Sequence, residues 1–123
     1  MQDFSIHPHP VSGNYCLGND YTLIVRGNAI TVPQGFEFDG ASIPPFFWTA
    51  FHSPYHPKVV RAALIHDRLY VTHEVDKGEA DLIFLELLEQ DGVTQWRRKN
   101  MWRAVHLFGR RAWRRRSQYG LKA

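Results

Sequence analysis

Ala63-Leu64-Ile65-His66-Asp67-Arg68-Leu69-Tyr70, followed by Glu79-Ala80-Asp81-Leu82-Ile83-Phe84, is the stretch that decides the reading of this chain. Its apolar residues recur at helical spacing, and ionisable residues interrupt them. The first run belongs to a helix predicted from near Pro57, an acceptable first helical position, to about Val71. A loop from Thr72 to Gly78 leads to a second helix, about Glu79 to Gln90, with Ala80, Ile83, Phe84, Leu87 and Leu88 at helical spacing. Asp91-Gly92 ends it. A third helix is predicted from about Thr94 to Arg116. Met101, Ala104, Val105, Phe108 and Ala112 share one face of it, and Lys99, Arg103, Arg110 and Arg114 the opposite one.

Toward the N-terminus the pattern changes. Tyr21 to Arg26 and Ala29 to Val32 are rich in β-branched or aromatic residues and flank Gly27-Asn28, which predicts a hairpin. Phe36-Glu37-Phe38 reads as a third short strand after the break at Pro33-Gln34-Gly35, and Asp39-Gly40-Ala41-Ser42-Ile43-Pro44-Pro45 as a loop. Residues 1–19, rich in His, Pro, Gly and Asn, read as an irregular arm. The expected class is α+β: a small antiparallel sheet in the N-terminal half packed with about three helices in the C-terminal half. Its parts are the arm, a hairpin and loop over 20–45, and a helical half over 57–116. The 123 residues suffice for a single domain with one core.

The net charge of +3 conceals a division. Residues 1–91 hold five basic and all twelve acidic residues, a formal −7, whereas residues 92–123 hold ten basic residues and no acid. A basic end of this kind calls for an acidic partner: nucleic acid, an anionic membrane, another protein or a second copy of the chain. Cys16 is the one cysteine, which excludes an internal disulfide and fits a reducing compartment. Neither a signal peptide nor a transmembrane run is legible, so the expected location is cytoplasmic.

Residues three or four apart share a helix face, so His66 and Tyr70 align. Asp81, in the first turn of an adjacent antiparallel helix, can then face both. A carboxylate bonded to one imidazole nitrogen fixes the tautomer and leaves the other nitrogen as a base. Asp67 points about 100° away from His66 and could hold a cation. Asp39, in the loop with Gly40 and Ser42, could be a ligand or support the base, or could cap its own turn. Ser42 lacks the strand–Gly-x-Ser-x-Gly–helix setting of a nucleophile.

The pattern Ala63-x-x-His66-Asp67-x-x-Tyr70, then Ala80-Asp81-x-x-Phe84, resembles the catalytic helices of the phospholipase A₂ superfamily, closest to the disulfide-free domains of parvoviral capsid proteins. The resemblance implies His66 as general base, Asp81 as its orienting carboxylate and Tyr70 as a supporting hydroxyl. It also implies Asp67 as a calcium ligand, with the Asp39-Gly40-x-Ser42 loop near the metal. A second resemblance covers about residues 20–110, through Asp39-Gly40-Ala41-Ser42-Ile43-Pro44, His66-Asp67-x-Leu69-Tyr70 and Ala80-Asp81. It is to an uncharacterised domain family common in tailed phages and prophages, and it implies a phage origin without an assigned activity.

A structural reading stands beside these. Asp81 at a helix start is favoured by the helix dipole, and His66 could be a core histidine satisfied by Asp81 and Tyr70, with Asp67 and Arg68 facing solvent. His7, His9, His52, His56 and His73 lack zinc-ligand spacing. Phe46, Phe47, Trp48 and Phe51 read as core or loop cover, or as a lip for a lipid substrate. Lys99, Arg103, Arg110, Arg114, Arg115 and Arg116, interleaved with Trp96, Trp102 and Trp113, form the expected partner-binding set. Two functions follow: a hydrolase in which His66 activates water, or a non-enzymatic virion, assembly or host-interaction protein that docks through its basic helix.

Overall fold

A computed structural model describes residues 4–38 and 55–114. The chain divides into two compact units, Met1–Asp39 and Gly40–Ala123. The first is all β. Strands β1 (Ile6–Pro8), β2 (Tyr15–Leu17) and β5 (Glu37–Phe38) form one antiparallel sheet in the order β1-β2-β5, while β3 (Tyr21–Val25) and β4 (Asn28–Val32) form a hairpin. The second unit contains helices α1 (Val60–Thr72), α2 (Lys77–Gln90) and α3 (Gln95–Phe108). The class is α+β.

Within the first unit, two expectations are corrected. Residues 6–8 and 15–17 are strands rather than part of an irregular arm, paired through Ile6↔Leu17 and Pro8↔Tyr15. Strands of three residues are too short to display a period of two, so their sequence carries no strand signal. The hairpin turn is Arg26-Gly27, one residue earlier than predicted, because Val25 pairs with Asn28. Both turn residues have positive φ, 50° and 77°, which matches the right-handed twist of the flanking strands. Alternation along the hairpin buries Tyr21, Val25, Ile30 and Val32, which join Leu17 and Phe38 in the core of this unit.

In the helical unit, α2 packs against both α1 and α3. Arg61 near the start of α1 grips Asp91 just past the end of α2, while Tyr70 near the end of α1 bonds Asp81 near the start of α2. The two helices are therefore antiparallel. The Arg61 contact is a two-pronged fork, Nε to Oδ2 at 3.0 Å and Nη2 to Oδ1 at 2.8 Å, with Nη2 also donating to Gln90 Oε1. Helix α1 is buried on nearly every side, every residue from Arg61 to Asp67 included. Ala62 and Ala63 supply the small side chains that let neighbours approach.

The helix ends also differ from expectation. Helix α1 begins at Val60, after a turn in which Val59 N and Val60 N both donate to His56 O. Helix α2 begins at Lys77, two residues early, because Asp76 is its N-cap and accepts from Glu79 N at 2.8 Å. Helix α3 stops at Phe108 rather than near Arg116; Gly109 interrupts it and residues 110–114 are again helical. Met101, Ala104 and Val105 are buried as the periodicity requires, but Phe108 is 58% exposed. No helix among the described residues is long and apolar enough to cross a membrane.

Candidate functional site

Helices α1, α2 and α3 meet at one buried carboxylate. Asp81 is 0% exposed and His66 1%. Asp81 Oδ1 lies 2.8 Å from His66 Nε2 and accepts from the Tyr70 hydroxyl at 2.7 Å. Its other oxygen, Oδ2, accepts from Lys77 Nζ at 2.8 Å. Helical spacing brings His66 and Tyr70 to one face of α1, and Lys77 and Asp81, four apart, to one face of α2. The residues expected to converge from α1 and α2 do so.

Lys77 is the member that the sequence reading missed. Its Nζ also donates to Val105 O at 3.0 Å and His106 O at 3.2 Å, so one ammonium joins Asp81 to the last turn of α3. Cations are favoured at helix C-termini, where carbonyls are left without amide partners. Two signals pointed to it: Asp76-x-x-Glu79 is a capping pattern that starts the helix at Lys77, and Lys77–Asp81 has the spacing of a helical ion pair.

Burial by itself would push the Asp81 carboxyl upward. The hydrogen bond and charge of His66, then the bonds from Lys77 and Tyr70, outweigh it and hold the carboxyl below its ordinary value. Asp81 is thus ionised at neutral pH. Nε2 of His66 therefore carries the proton in this contact, and in the neutral ring Nδ1 bears the lone pair. Tyr70 is shifted the other way, upward, by burial first and then by the charge and hydrogen bond of Asp81 and the charge of Asp67. It remains a neutral donor.

Aromatic contacts fix the ring planes. The imidazole of His66 lies 4.2 Å from the Tyr70 ring and 4.7 Å from Phe84, centroid to centroid. Trp113 meets Tyr70 edge-on at 5.0 Å and stacks on His73 at 3.5 Å, its carbonyl lying 3.1 Å from His73 Nε2. Trp113 therefore packs within the helical unit. Gly109 is buried, and a Cβ there would lie 2.7 Å from the Tyr70 hydroxyl and collide with Val105 O. Only glycine lets the chain pass so close to this hydroxyl.

Asp67 is 0% exposed, which overturns the expectation that it faces solvent; its helix is enclosed on that side too. Asp39, Gly40 and Ser42 lie outside the described residues, as do Trp48, Phe51, Arg115 and Arg116. Among the described residues no group of three or more His, Cys, Asp or Glu is arranged to hold a metal ion. Lys99, Arg103, Arg110 and Arg114 are exposed, away from the buried set.

The model of a family described as "Protein of unknown function (DUF1353)" matches residues 17–105. Uncharacterized protein y4jT of Sinorhizobium fredii (strain NBRC 101917 / NGR234) is 33% identical over 78 residues, covering 63% of this chain and 23% of the relative. Uncharacterized protein y4iH of the same strain is 34% identical over 73 residues, covering 59% of this chain and 30% of the relative. The match thus spans less than a third of either relative. No solved structure matches the chain.

Proposed function

We propose that this chain, which belongs to the DUF1353 family, is a hydrolase in which His66 acts as general base on water. One observation carries the reading: the 2.8 Å contact of His66 Nε2 with the ionised Asp81, which sets Nδ1 as the basic nitrogen. Tyr70 and Lys77 hold the carboxylate in place from two further directions. Tyr70 and Asp81, hydrogen-bonded to each other in the buried unit, are both shifted from their ordinary values, as groups at reaction centres often are. The phospholipase A₂ resemblance adds an ester or phospholipid substrate, with calcium on Asp67. The second resemblance adds a tailed-phage or prophage setting.

The test is release of labelled fatty acid or alcohol from phospholipid vesicles and from soluble esters. Wild type is compared with His66→Gln, each with calcium or with chelator. Product that requires His66 supports the base, and product that also requires calcium supports a metal-assisted reaction. Product formed equally by His66→Gln, or none from any substrate, overturns the hydrolase. A second reading, a non-enzymatic virion, assembly or host-interaction protein, is favoured by the exposed cations of α3.

A further inference from the structure

We infer that the exposed face of α3 is a docking surface for an anionic phospholipid bilayer, on which the helix lies flat without crossing. The inference stands independently of any reaction at His66. Three of the five large apolar residues exposed among the described residues sit on this one helix: Trp96 at 69%, Leu107 at 67% and Phe108 at 58%. Trp96, Lys99, Arg103 and Leu107 recur at spacings of three and four, so cations stand between apolar side chains along one stripe. Arg110, Arg111 and Arg114 continue the exposed positive charge past Gly109. No acidic residue occurs anywhere in residues 92–123 to neutralise it.

The opposite face settles the geometry. Met101, Ala104 and Val105 are buried, and Lys77 holds the Val105 and His106 carbonyls, so α3 meets a partner only with its outward side. A surface suited to that side must take cations and bulky apolar groups together. Phosphates of a nucleic acid would engage Lys99 and Arg103 and make no use of Leu107. A phospholipid surface uses both: headgroups receive the cations, and the acyl boundary receives Trp96 and Leu107.

The experiment is co-sedimentation of the full chain with vesicles of phosphatidylglycerol and phosphatidylcholine, or of phosphatidylcholine alone, beside a titration of duplex DNA. The anionic vesicles should retain the protein and the neutral ones should not. Arg103→Ala with Arg110→Ala should weaken retention about thirty-fold, from roughly 1 kcal/mol per cation near such a surface. Trp96→Gln with Leu107→Gln should weaken it at unchanged charge, and an unchanged melting temperature shows that the exposed substitutions leave the fold intact. Equal retention of the Trp96/Leu107 variant, absent retention on anionic vesicles, or tighter binding to DNA would each overturn the inference.

Discussion

Asp81 is the residue on which the helical unit turns, because three donors from two helices converge on it. Asp81→Asn leaves the Lys77 ammonium facing a neutral amide and should cost about 3 kcal/mol in urea unfolding. Lys77→Met added to Asp81→Asn should recover part of that loss, and strict additivity of the two would refute direct coupling. The same carboxylate gives stability a pH dependence. Its folded value lies below the unfolded one, so the contribution is complete above about pH 4 and is lost as pH falls through the folded value. Unfolding free energies between pH 7 and 2 should fall more steeply for wild type than for Asp81→Asn. Tyr70 acts at the other end: its raised value means that its contribution is complete below about pH 10 and lost above. The meeting of His66, Tyr70 and Asp81 was legible because helical periodicity alone aligns the first two. The burial of Asp67 was not, because enclosure of α1 on all sides is a property of packing that the residues of one helix do not reveal.

At the scale of elements, helix cores were legible and their ends were not. Helix α2 begins at Lys77 through the Asp76 cap, and α3 stops where Lys77 takes the Val105 and His106 carbonyls, a contact between residues 28 and 29 positions apart. Gly109→Ala tests this junction. Its Cβ would meet both the Tyr70 hydroxyl and the Val105 carbonyl, and the backbone carbonyl cannot swing away, so a loss of about 1–3 kcal/mol is expected in thermal unfolding. An unchanged melting temperature would show that α3 can move off Tyr70 freely. In the β unit, the Arg26-Gly27 turn places a side chain at φ 50°, where asparagine is more at ease. Arg26→Asn should stabilise the protein by about 0.5 kcal/mol, read as a higher melting temperature. The hairpin itself was visible in its β-branched runs, whereas β1 and β2 were hidden by their brevity.

For the whole molecule, the division of charge separates two properties of the helical unit. Arg61 is matched locally by Asp91, and Asp81 by His66 and Lys77, while Lys99, Arg103, Arg110 and Arg114 remain at the surface. The first set holds the helices together and orients an imidazole; the second offers positive charge outward. Screening by salt should therefore weaken surface binding strongly and leave the buried network nearly unchanged. Nitrogen-15 NMR of the imidazole, at a pH where the ring is neutral, reads whether the Asp81 contact fixes the tautomer of His66. A protonated Nε2 and an unprotonated Nδ1 are expected for His66, with that preference lost in Asp81→Asn. A ring protonated at Nδ1 in the wild type, or one unaltered by Asp81→Asn, would contradict that assignment.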